Sequence, residues 1–120
     1  MIFDMRAPAF GAPRRELYAA ALDCAAAAVA TGFDVIGFGE HHLAEDGYNP
    51  SPLVLGSGMA GRTRRIRLFT AVLLASCYDP VRLAEDLPVA QLLSDGRIEL
   101  GLGFRYRPVE FAVYGRELED

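Results

Sequence analysis

Asp34-Val35-Ile36-Gly37-Phe38-Gly39-Glu40-His41-His42 decides how this chain is read. Its first half is a short apolar run of the kind that forms a buried strand, and a carboxylate and two imidazoles follow at once. In parallel α/β proteins the loops leaving the carboxyl ends of the strands share one rim, where functional groups collect. The continuation over 43–52 contains Gly, Asp, Asn, Ser and two prolines and reads as a loop. A catalytic or cofactor-facing loop is the expectation.

The flanking sequence repeats one pattern. Upstream, Ile2-Phe3-Asp4-Met5 reads as a first strand and 7–13 as a loop. A helix follows over 16–31, with Leu17, Ala21, Cys24 and Ala28 on one stripe and Gly32 as its terminator. Downstream, Ser51-Pro52 offers an N-cap and a first-turn proline for a helix over 52–62. Gly56, Gly58 and Gly61 each disfavour that helix by about 1 kcal/mol relative to Ala, so it is either weak or closely packed. Arg62-Thr63-Arg64-Arg65 reads as a solvated helix end leading into a strand over 66–74. Asp79-Pro80 opens a third helix to about residue 93, in which Pro88 should remove one hydrogen bond and introduce a kink. Asp95-Gly96 turns into a strand over 98–102, and a last helix starts near Pro108. Four successive strand–helix pairs predict a parallel sheet with right-handed crossovers.

Composition bounds the rest. The 120 residues fit one domain, and 52% hydrophobic content is ample for a core. A net charge of -4 argues against a general nucleic-acid surface. All twelve basic residues are Arg, which suits planar anions. The two cysteines, Cys24 and Cys77, read as reduced thiols. No apolar run approaches the roughly 20 residues of a membrane span, and no secretory leader is evident. A soluble, cytoplasmic protein is expected.

If the strands are parallel, three loops converge on one rim. They carry Glu40, His41 and His42; then Ser76, Cys77 and Tyr78; then Phe104, Arg105, Tyr106 and Arg107. Imidazole, carboxylate, aromatic rings and guanidinium together suit a flat anionic cofactor with polar ring edges, and histidine is the side chain best suited to proton transfer near neutral pH. Hydrogen-bonded anchoring of the loop is the bland alternative for the two histidines. A zinc site is not expected, because adjacent residues seldom face one ion and no further Cys or His supports them in the sequence. Cys77 reads as a small buried thiol rather than a nucleophile. Gly101-Leu102-Gly103 lacks the spacing of a dinucleotide fingerprint.

Taken together, several blocks of the chain resemble the luciferase-like flavin-dependent monooxygenases. They are Gly32-Phe33-Asp34, Glu40-His41-His42, Asp46-Gly47-Tyr48, Pro50-Ser51-Pro52 and Arg62-Thr63-Arg64-Arg65-Ile66-Arg67. Further along come Thr70-Ala71-Val72, Pro80-Val81-Arg82-Leu83-Ala84-Glu85-Asp86, Leu93-Ser94-Asp95-Gly96-Arg97 and Tyr106-Arg107-Pro108 with Glu110-Phe111. The resemblance implies four βα units, the N-terminal half of a (β/α)8 barrel, as a single partial domain over 1–120. It implies reduced FMN supplied by a separate flavin reductase, O2, and a small organic substrate such as an aldehyde, with a deazaflavin as the lesser cofactor alternative. On this reading His41 lies beside the flavin ring and assists proton transfer, and Glu40 orients the loop and the ring's polar edge. Thr70, Ala71 and Val72 lie under the flavin, where such proteins often have a non-proline cis peptide. Phe104-Arg105 stands where the family commonly has Arg-Gly, so Arg105 or Arg107 takes over the phosphate contact. A complete barrel of this type runs to roughly 250 residues. The chain is therefore read as a truncated or separately encoded half, with strands one and four as open edges. It is expected to pair with a copy of itself or with a second half-barrel. Two other readings stay open: an inactive half-barrel that self-associates or binds a full-length relative, and a metal-dependent hydrolase on a similar barrel.

Overall fold

A computed structural model describes residues 1–104 and 107–115. The elements run β1 (Ile2–Phe3), α1 (Arg14–Ala30), β2 (Val35–Phe38), α2 (Pro52–Arg62), β3 (Arg67–Leu74), a 3-10 turn (Ala75–Cys77), α3 (Pro80–Ser94), β4 (Ile98–Gly103) and α4 (Pro108–Val113). The four strands form one parallel sheet in the order β1-β2-β3-β4. The expected alternation is therefore present. The first strand is the shortest, two residues long rather than four, and Asp4 beyond it pairs with Arg6 instead of joining the sheet.

Alternation along the strands sets the layers. Ile36, Phe38, Leu68 and Ile98 are buried beneath the helices, whereas Val35, Phe69 and Glu99 are only half-buried and Arg67 is exposed. Neighbouring helices pack on one another, α1 on α2 and α2 on α3. The glycines of α2 serve that packing. A Cβ on Gly56 would meet the Phe38 ring at 2.9 Å, and one on Gly58 would touch Leu22 of α1 at 3.4 Å, while Gly61 has nothing within 4 Å. So α2 lies close to both the sheet and its neighbouring helix because side chains are missing where they meet.

Capping follows the sequence in part. Asp79 accepts from Val81 N and Arg82 N at 2.9 and 3.0 Å. Gly32 follows α1 with φ +86. Ser51, in contrast, makes no side-chain cap; its own backbone N–H donates to Asn49 Oδ1 at 3.2 Å. Helix α3 runs on through Pro88 to Ser94. The buried stripe of α1 is Ala21, Ala25 and Ala28, which puts Cys24 on the exposed side, against expectation. Arg62 meets Asp23 in an exposed ion pair, in keeping with a solvated helix end. At the entry to β3, Arg97 reaches from the start of β4 to Thr63 Oγ1, Ala60 O, Thr63 O and Ile66 O, closing the carboxyl end of α2. Among the described residues β1 and β4 are the outer strands, and apolar side chains near them, Ile2, Leu102 and Phe104, are exposed. No described helix is long and apolar enough to cross a membrane.

Candidate functional site

The loop after β2 is shaped by close approach at its start and by one buried amide within it. A Cβ on Gly39 would stand 3.0 Å from the Tyr48 hydroxyl and 3.2 Å from Ala71 O, so a side chain there would push the loop off β3. Asn49, 1% exposed, donates from Nδ2 to Gly39 O at 2.9 Å, and its own carbonyl accepts His41 N–H at 3.1 Å. These bonds close the loop over 39–49 and fix where its side chains emerge. Asn49 carries no catalytic signature, and nothing in the sequence marks it except the following Pro-Ser-Pro.

The loop sends its three polar side chains in two directions. Glu40 is 3% exposed and points inward: Oε2 accepts Leu74 N–H at 2.8 Å, and Oε1 lies 2.7 Å from His42 Nε2. Burial raises the Glu40 carboxyl above its ordinary pKa, while bonds from the Leu74 amide and His42 oppose that shift. The Tyr78 hydroxyl also bonds Glu40, and burial beside that carboxylate holds its phenol well above the usual range. His42 Nδ1 lies 3.0 Å from the Tyr114 hydroxyl, and the two rings meet edge-on. Cys77 Sγ completes this group, within 4.8 Å of the Glu40 and His42 ligand atoms. The thiol is thus close to His42 in space although 35 positions away in sequence.

His41 takes the other direction. It lines an open cleft of about 480 Å³ together with Asp4, Arg6, Asp46, Tyr48 and Arg107. The Tyr48 ring sits edge-on at 4.9 Å. Behind His41 is Glu110 of α4, fully buried, with Oε1 3.5 Å from His41 Nδ1, 3.6 Å from Arg107 Nη1 and accepting His42 N–H at 3.1 Å. Glu110 thus ties α4 to both histidines. The sequence contained this residue in a matching block without revealing its role, because the contact spans 68 positions.

Of the remaining expected site residues, the three of β3 lie apart from that cleft's walls. Thr70 is fully buried, its hydroxyl donating to Gly101 O and accepting Gly101 N–H, each at 3.1 Å. The Ala71-Val72 peptide is cis, at the register shift between β3 and β4. Neither Thr70, Ala71 nor Val72 is among the residues lining the His41 cleft. Arg107 does line it, and Arg105 lies outside the described residues.

Residues 2–120 match the family model described as luciferase-like monooxygenase. The solved monooxygenase RslO1 from Streptomyces bottropensis superposes with a TM-score of 0.89 at 30% identity, over 98% of this chain and 36% of that one. The alkanal monooxygenase alpha chain of the Kryptophanaron alfredi symbiont is 29% identical over 89 residues, 74% of this chain and 25% of its own. The oxygenase component of a flavin-dependent trigonelline monooxygenase from Acinetobacter baylyi is 27% identical, again over 74% of this chain and 25% of its own. An F420-dependent glucose-6-phosphate dehydrogenase from Amycolatopsis mediterranei is 36% identical over 72% of this chain and 27% of its own. The chain spans about a quarter of the length of these curated relatives. Its parallel sheet and one-sided helix layer are four successive units of a (β/α)8 barrel. With a match that runs nearly end to end, the chain belongs to the luciferase-like monooxygenase family.

Proposed function

We propose that this chain supplies the flavin-ring side of a monooxygenase that uses reduced FMN and O2 to oxygenate a small organic substrate, an aldehyde being the first class to test. The observation that carries the reading is His41 in the rim cleft, backed by the buried Glu110 carboxylate 3.5 Å from its Nδ1. A buried carboxylate this close to Nδ1 is an electrostatic partner for that face of the ring, and imidazole is the side chain suited to proton transfer. The donor set fits a flavin: Arg107 offers a cation beside the Arg6–Asp4 pair, Tyr48 an aromatic surface and His41 an imidazole edge. Bound flavin would supply the oxygen chemistry. His41 would hold or move a proton beside it, Arg107 would bind anionic groups, and Glu40 would hold the loop rather than touch the ring. Thr70, Ala71 and Val72 would set the height of the sheet floor.

The relative that is an oxygenase component supports a separate partner delivering reduced flavin. The F420-dependent relative makes a deazaflavin the second reading. The open outer strands β1 and β4 support pairing with a second half-barrel or a second copy, and a stable monomer by size exclusion with light scattering would count against it.

Fluorescence titration of FMN and of a deazaflavin separates the two cofactor readings. FMN is expected to bind more tightly, and His41→Ala to lower aldehyde oxidation with reduced FMN by about 10²-fold while FMN affinity changes little. FMN binding weaker than about 1 mM would refute cofactor use by this chain.

A further inference from the structure

Glu40, His42 and Cys77 come from two loops, yet one donor atom of each lies within 4.8 Å of the others. The function proposed above leaves the thiol without a task. Their outer atoms are already held by other groups. Glu40 Oε2 accepts Leu74 N–H at 2.8 Å, and His42 Nδ1 lies 3.0 Å from the Tyr114 hydroxyl. Glu40 Oε1 and His42 Nε2 face each other at 2.7 Å, with the sulfur beside them and the Tyr78 hydroxyl also bonded to the Glu40 carboxyl. Metal-binding side chains are built this way, with inner atoms turned to a common point and outer atoms fixed by hydrogen bonds. The side chains of Glu40 and His42 are 0% and 12% exposed, so these two donors are shielded from bulk water, while Cys77 is half-buried.

We infer that Glu40, His42 and Cys77 form a binding site for a thiophilic divalent cation of the zinc class, one that fastens the loop after β2 to the turn after β3. An oxygen, nitrogen and sulfur donor set selects Zn2+ or Co2+ over Mg2+ or Ca2+. Bonds of about 2.0–2.3 Å in tetrahedral geometry place donors roughly 3.3–3.6 Å apart. The Glu40–His42 pair therefore opens by less than about 1 Å, and the sulfur closes by no more than about 1.5 Å. On binding, the thiol proton leaves to solvent and the imidazole proton resides on Nδ1, where the Tyr114 oxygen accepts it. Three protein ligands leave the fourth position to water. The site lies beside the His41 cleft and does not depend on the flavin reading.

Co2+ and Zn2+ added to the chelator-treated 120-residue chain test this. One equivalent of Co2+ should give a thiolate charge-transfer band in the near ultraviolet and the intense visible bands of a four-coordinate site, both bleached by Zn2+. Cys77→Ser and His42→Gln should abolish the bands, and Cys24→Ser should keep them. In the unsubstituted protein, one equivalent of Zn2+ should slow alkylation of Cys77 by about tenfold or more and leave Cys24 reactive, which requires no variant to fold. Bands that survive Cys77→Ser, bands lost with Cys24→Ser, or unprotected Cys77 would overturn the inference.

Discussion

Replacing Glu40 with alanine and with glutamine separates its two structural tasks. Its Oε2 is the acceptor for the Leu74 N–H, its Oε1 meets His42 Nε2, and the residue itself is 3% exposed. Alanine leaves the buried Leu74 amide without that acceptor, a loss of about 1–3 kcal/mol. It also deletes a buried methylene, worth about 0.8 kcal/mol. The expected loss for Glu40→Ala is about 2–4 kcal/mol by these principles. Glutamine keeps a carbonyl for Leu74, turns an amide toward His42 and brings no charge into the interior, so its loss should stay below about 1 kcal/mol at neutral pH. Urea unfolding followed by circular dichroism measures both. The pH dependence carries a definite sign. Burial raises the folded pKa of Glu40 above its ordinary 4.5, so the folded state holds the proton more tightly than the unfolded chain. Its contribution to stability is therefore full below about pH 4.5 and falls as pH rises through the folded pKa. The stability of the parent relative to Glu40→Gln should decline across that window. Equal losses for alanine and glutamine, or a difference that grows in the parent's favour with pH, would refute the reasoning.

The other expectations concern packing and caps. Gly56→Ala should destabilise by about 1–3 kcal/mol through overpacking, since the new methyl meets the Phe38 ring at 2.9 Å. Gly61→Ala, with open space, should stabilise α2 by about 0.5–1 kcal/mol, and thermal melts of the two should shift in opposite directions. Asp79→Ala should lose about 1 kcal/mol by removing a cap that holds two backbone amides, with Asp79→Asn restoring most of it in the same melts. Arg97→Ala strips the Ala60, Thr63 and Ile66 carbonyls of their guanidinium donor, and chemical denaturation should show a loss of at least about 3 kcal/mol.

The order of elements was legible because it rests on local signals. Val35–Phe38 and Pro52–Arg62 appear at the boundaries their apolar run, prolines and glycines imply. Asp79 caps α3 as its place before Pro80 requires. A helical stripe alone misplaced Cys24, because runs of alanine on several sides of α1 leave the buried face undetermined until the neighbours are present. Ser51 looked like a cap, but its hydroxyl makes no capping bond, and it is Asn49 that orders the helix entry by accepting the Ser51 N–H. Both outcomes depend on residues outside the element itself.

For the candidate site, the sequence by itself determined that Glu40, His41 and His42 leave the carboxyl end of a buried parallel strand. Strand propensity, loop chemistry and alternation are local or periodic properties, so one chain suffices to read them. Only the tertiary structure decided that the neighbouring histidines part company. His41 faces the cleft with Glu110 behind it, whereas His42 turns inward to Glu40 and Cys77. That division is set by contacts from β3, its following turn and α4, 34 to 72 positions away in the chain. Direction at a strand exit follows from what the other loops place beside it, and linear spacing carries no record of that.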